Sequence, residues 1–188
     1  AELQQPGEAI NQFNRYLQAY PSDFRSYKMR GRCYLMQDQQ ERALDDLIVA
    51  TKLQTPFTPG LVMETAMLAR DLHKENTAIA VIDAAIASQS TVPQLQLLAI
   101  DILTTTERYD EALVRFDQLI DNNGINPEWL IDKSKILVKL SQISDALNVL
   151  AAAETSLLAR KPTPWKQQKL AEIESMRHHI NTNPSAGS

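Results

Sequence analysis

Cysteine is almost absent from this chain of 188 residues, Cys33 standing alone. An intrachain disulfide is thereby excluded, and nothing reads as a thiolate metal site. Glycine is scarce too: five residues leave little material for a phosphate-cradling loop, and no such motif occurs. No apolar run approaches the roughly 20 residues that span a bilayer, so membrane insertion is not expected. No basic start followed by an apolar stretch marks a signal peptide. A long run of one charge is also missing. Nineteen basic residues are spread against 23 acidic ones, with net charge −4 and an isoelectric point near 5.4. That balance argues against a nucleic-acid partner, whose phosphates need clustered Lys and Arg. The chain opens on Ala1-Glu2. This start fits a cut within a longer protein, or the end left by processing at a small-residue site, as in export to a bacterial periplasm.

Catalytic constellations are equally thin, and the sequence is read as a non-enzyme with no cofactor and no metal. Catalysis needs a nucleophile, acid or base held by a second group. Of the three histidines, His73 reads as a surface residue near a turn, and neither His178 nor His179 has a second ligand four residues on. Cys33, one residue before Tyr34 and near Arg30 and Arg32, reads as a packed small hydrophobe. Asp121-Asn122-Asn123-Gly124 lacks the spacing and closing Glu of a calcium loop; it reads as a helix end with Gly124 as a left-handed cap.

What the sequence does contain is period. Ala9, Ala43, Ala78, Ala112 and Ala146 each precede Ile or Leu and are separated by 34, 35, 34 and 34 residues. Four residues after each comes Phe13, Leu47, Ile82, Phe116 or Leu150. Three further on stand Tyr16, Ala50, Ala85, Leu119 and Ala153. Together they make an i, i+4, i+7 face of an α-helix. A second helix precedes most of these, with Tyr27, Gly31 and Tyr34, then Val62, Ala66 and Ala69, then Leu130, Ser134 and Leu137 at helical spacing. Their small central residues permit close approach of the paired helix. Thr58-Pro59, Asn126-Pro127 and Pro93 mark helix starts. Polar turns at Gln37-Asp38-Gln39, Lys74-Glu75-Asn76, Thr106-Glu107-Arg108 and Ser141-Gln142 divide each pair. Thr163-Pro164 opens a further helix with Trp165, Leu170, Ile173, Met176 and Ile180 on its apolar side.

Such pairs, with Tyr27, Gly31, Tyr34 and Ala43 in one copy and Pro21 closing the copy before it, resemble the tetratricopeptide repeat. Later copies depart from the pattern, Gln96 replacing an apolar residue and Ile100 a small one. The resemblance implies an all-α, right-handed α-solenoid of antiparallel helix pairs, about four to five repeats with a C-terminal capping helix. A superhelix over 1–160 is expected, with an incomplete repeat 1–22 and repeats near 23–57, 58–91, 92–125 and 126–160. A capping helix at 161–180 and a disordered tail at 181–188 follow.

Function then follows the architecture: a scaffold that holds a protein or peptide in the concave groove lined by the first helices. Groove positions implied by the family include Arg25, Lys28, Arg32, Met63, Met67, Arg70, Leu97, Asp101, Ile131 and Lys135. They suggest a basic end and an apolar, Met-lined middle that receive a peptide with an acidic end. The carboxylate clamp of chaperone-binding members is not carried over, because Met29, Glu64, Leu98 and Asp132 replace its asparagine. A non-catalytic domain beside an enzyme or assembly machine is the second reading, and an RNA-binding helical repeat the third. Self-association through an open first repeat, with Ile10, Phe13 and Leu17 uncovered, is also expected from the incomplete start.

Overall fold

The computed structural model describes residues 6–88 and 92–182. Among them are ten α-helices and no strand: α1 (Pro6–Ala19), α2 (Phe24–Met36), α3 (Gln40–Leu53), α4 (Pro59–Asp71), α5 (Glu75–Ser88), α6 (Pro93–Thr105), α7 (Tyr109–Asn123), α8 (Pro127–Lys139), α9 (Ile143–Leu158) and α10 (Pro164–Thr182). The architecture is an all-α solenoid of packed helix pairs. The chain forms two compact units, Ala1–Ile102 and Leu103–Ser188.

In the first unit α2 packs on α3, and α4 on α5. Ala43 and Ala78 are fully buried at the centre of each pair, with Leu47 and Ile82 one turn on. The close approach expected at Gly31 is real: a Cβ there would lie 3.2 Å from the Ala43 carbonyl oxygen and 3.2 Å from Leu47 Cγ. Helix α1 packs on α2, so Ile10 and Leu17 are only 8% and 6% exposed and Phe13 is half-buried. The first helix therefore does not present the bare apolar face that its unpaired position suggested. Its exposed aromatics are Tyr16 and Tyr20, whose rings lie 4.7 Å apart. Gln96 is buried as the pattern of its repeat demands, and its Oε1 finds no hydrogen-bond partner among the described residues.

In the second unit Ala112, Phe116 and Leu119 of α7 are buried, as are Ala146, Leu150 and Ala153 of α9. Helix α10 lies on α9 and α8. Its Ile173 and Ile180 join Leu130, Ile131, Leu150, Ala153 and Leu157 in one core, and Trp165, Leu170 and Met176 pack against that core. The apolar spacing of α10 in the sequence thus corresponds to its contact face. The tail anticipated from residue 181 lies outside the described residues except for Asn181 and Thr182, which complete α10.

The helix ends have identifiable chemical causes. Asp23 accepts from the Ser26 amide at 3.1 Å, Asn126 from the Glu128 amide at 3.0 Å, and Thr163 Oγ1 from the Lys166 amide at 3.1 Å. Each satisfies a donor that the first helical turn leaves free. Thr58 is the exception: it occupies the cap position of α4 without capping, and its hydroxyl meets the Gln54 side chain instead. Gly124 closes α7 with φ +82° and ψ 178°. This conformation differs from the left-handed helical cap that was expected, and lies in a region open essentially to glycine alone.

Candidate functional site

The first helices of the pairs, α2, α4 and α6, carry the groove positions of the first unit. Arg25 is exposed, its guanidinium 5.4 Å from the Phe24 ring centroid. Lys28 is half-buried and has no acidic partner among the described residues. Arg32 differs. Its Nη2 donates to Glu64 Oε2 at 2.9 Å and its Nε to Oε1 at 3.2 Å, a two-point bond from α2 to α4. The Glu64 carboxylate raises the Arg32 guanidinium further above its ordinary value. Arg70 is likewise engaged, with Asp71 at 3.3 Å and with Asp101 of α6 at 3.4 Å. Of the cations predicted to hold an anionic peptide here, Arg25 and Lys28 form no ion pair with a described residue, although Arg25 acts at longer range on the Asp23 carboxylate, whereas Arg32 and Arg70 link neighbouring first helices.

The apolar positions of this unit stay accessible. Met67 is 42% exposed, Leu97 is 37% exposed, and Met63 is half-buried. A thioether here is flexible and polarisable enough to fit partners of different shape.

In the second unit the corresponding positions are occupied from within. Ile131 is 1% exposed and belongs to the core shared with α10, so it is not a free surface residue. Lys135 bonds Asp132 at 2.8 Å and Glu172 of α10 at 2.9 Å. Its burial alone would lower the ammonium pKa, but the two carboxylates outweigh this and raise it. Lys169 adds a bond to Glu172 at 3.0 Å, and the Trp165 indole N–H donates to Glu128 Oε1 at 3.1 Å. Helix α10 thus occupies the side of α8 on which Ile131 and Lys135 were to meet a partner.

Two features escaped the sequence reading. The acids that neutralise Arg32 and Arg70 stand about one repeat later, and opposite charges at that separation were the available signal. The second is a part-buried cluster joining three helices. Arg30 of α2 donates to Asp46 of α3 through Nε at 2.7 Å and Nη2 at 2.6 Å, and through Nη1 to Asn14 of α1 at 2.7 Å. The Asp46 bonds raise the Arg30 pKa despite burial. Cys33 is half-buried and burial pushes its thiol pKa up, the opposite of what a reactive thiolate requires. Among the described residues no group of three His, Cys, Asp or Glu side chains converges as a metal site. No described helix is long and apolar enough to cross a membrane.

Residues 1–51 match the family model described as the tetratricopeptide repeat. No curated protein matches the sequence. Among solved structures, YrrB, "a TPR protein with an unusual peptide-binding site", is 14% identical with a TM-score of 0.57, covering 94% of this chain and 85% of its own. MamA is also 14% identical, with a TM-score of 0.57 and coverage of 87% and 89%. A tetratricopeptide repeat protein from Parabacteroides merdae ATCC 43184 is 14% identical with a TM-score of 0.59, covering 84% of this chain and 61% of that one. At such identities the structural likeness establishes a shared fold. Residues 1–51 thus carry the tetratricopeptide repeat in sequence, and the chain shares the fold of solved tetratricopeptide-repeat proteins.

Proposed function

We propose that this protein is an interaction scaffold whose first unit receives a peptide or protein segment carrying both acidic and apolar residues. The observation that carries the reading is the division of labour among its cations. Arg32 and Arg70 are engaged by Glu64 and Asp101 in ion pairs, whereas among the described residues Lys28 has no ion-pair partner and Arg25 has only the longer-range pull of Asp23. A carboxylate from a partner would complete those two residues by charge-assisted hydrogen bonds. Met63 and Met67 of α4 and Leu97 of α6 supply apolar contact area on the following first helices. YrrB, which shares the fold, is described as having a peptide-binding site, in keeping with this use of the architecture. The binding surface belongs to the first unit, because α10 covers Ile131 and engages Lys135 in the second.

Affinity capture with the intact chain, followed by mass spectrometry, tests the proposal when run beside an Arg25→Ala/Lys28→Ala variant. Partners retained by the unaltered chain should be lost from the variant, and their recovery should fall with added salt, since the contacts are exposed and screened. Equal recovery by both proteins would rule out the basic contact. A Met67→Glu variant that still captures the same partners would rule out the apolar one.

A further inference from the structure

A cleft of about 750 Å3 lies between α3 and α5 in the first unit, and none of the groove residues of α2, α4 and α6 lines it. Its walls come from the second half of α3, the length of α5 and Phe57 in the connection that follows α3. The cause is local sequence. Helix α5 carries Ala80 and Ala84 one turn apart in the cleft wall, where the equivalent positions of α7 hold Val114 and Gln118. Methyl groups in place of longer side chains leave the space open, so the cleft belongs to these residues and is not a general consequence of the repeat.

The lining is apolar along most of α5, with the polar side chains of Asn76 and Thr77 near the start of that helix. Ile48, Phe57, Val81 and the alanines provide its apolar surface. Two of its hydroxyls are turned inward to the backbone: Thr51 Oγ1 donates to the Ile48 carbonyl at 2.8 Å, and Ser88 Oγ to the Ala85 carbonyl at 2.9 Å. Lys52 is the single ionisable side chain among the described lining residues; it is exposed and forms no ion pair with any of them or with any other described residue. An apolar trough with one unneutralised cation is complementary to a ligand with an apolar body and one negative end.

Size decides between ligand classes. Eleven of the described residues line the cleft, against roughly 20–30 a side in a stable protein interface. Its volume falls within the roughly 300–1,000 Å3 usual for small-molecule sites, which are mostly apolar with a few placed polar groups. From Asn76 to Ser88 it follows α5 for about 18 Å, room for an extended medium-length alkyl chain. We propose that this cleft binds a small anionic amphiphile of the alkyl-carboxylate class, its chain along Ala80, Val81 and Ala84 and its carboxylate on Lys52.

The test is titration of the isotopically labelled intact chain with sodium dodecanoate, below the concentration at which it forms micelles, followed by amide chemical shifts. Dodecyltrimethylammonium and dodecanol serve as tail-matched cationic and neutral probes. Dodecanoate should bind saturably, shift amides of α3, α5 and Phe57, and bind about tenfold more tightly than the cationic probe. Lys52→Glu should reverse that order, and Ala84→Phe should weaken all three probes about tenfold or more by filling the trough. Lys52→Gln takes the place of the reversal variant if circular dichroism shows the latter misfolded, and should abolish the preference between the charged probes. Shifts scattered over both units, absence of saturation, or a charge preference that survives loss of the Lys52 cation in a folded variant would each overturn the proposal.

Discussion

Asp38, His73, Glu107 and Ser141 hold φ angles of +57°, +56°, +59° and +59°, each at the turn between the two helices of a pair. The backbone demands it. The amides of Gln39, Lys74, Arg108 and Gln142 reach back to the carbonyls of Tyr34, Ala69, Leu103 and Leu137 at 2.8–2.9 Å. That six-to-one closure of a helix end requires a left-handed residue inside it. Glycine fits such a position without steric cost, yet none of the four is glycine, and only Asp38 is of a type that tolerates it well. The sequence marked the turns as polar, but the four residues share no side-chain chemistry from which the conformation could be read. Glu107 is exposed and only its backbone is seen to bond here. Glu107→Gly should therefore stabilise the chain by about 1 kcal/mol, the relief of strain exceeding the added freedom of the unfolded chain. Asp38→Gly should give less. Urea unfolding should show a higher midpoint for Glu107→Gly at unchanged slope; an unchanged or lower midpoint would mean that the strain is not relieved.

At the scale of the helix, legibility depended on repetition. A single Ala followed by Leu says little, but five in near-constant register identify second helices, and Ala43, Ala78, Ala112 and Ala146 are all fully buried. Asp46 could not be read this way, because an acid within a helical repeat is ordinarily a solvated residue. Its carboxylate instead lies 8% exposed against Arg30 at 2.6 Å, and Asn14 extends the cluster to α1. Removing one member leaves the other charged with little solvent, whereas replacing both with apolar groups removes the desolvation penalty as well. Asp46→Ala should cost about 3 kcal/mol, and the pair Arg30→Met/Asp46→Leu should recover most of it. A double-mutant cycle by equilibrium denaturation measures the coupling. Losses that simply add would show that the three helices are held by apolar packing alone.

Across the whole molecule, the same repeat position meets different fates. Met63, Leu97 and Ile131 are one repeat apart in sequence, yet the first is half-buried, the second 37% exposed and the third 1% exposed. Periodicity identifies the helix face, while burial depends on what the neighbouring element places against it, and for Ile131 that includes α10. This is why the fold was legible and the groove only partly so. The docking of α10 also makes a testable pH dependence. Burial alone would push the Glu172 carboxyl up, but hydrogen bonds from Lys135 and Lys169 more than offset it and hold the group below its ordinary 4.5. Its contribution to stability is therefore complete above about pH 4.5 and lost as pH falls through the lower folded value. Lys135 is raised above its ordinary 10.5, so its contribution is complete below that pH and lost only as pH climbs through the folded value. Both tryptophans of the chain, Trp129 and Trp165, lie in α8 and α10, so their fluorescence reports this unit. The urea midpoint read from that fluorescence should fall as pH drops below about 4.5. Glu172→Gln should lower the midpoint at neutral pH and flatten its acid dependence, since the substituted amide does not titrate. Equal acid slopes for the two proteins would place the sensitivity elsewhere than at the Lys135–Glu172–Lys169 contact.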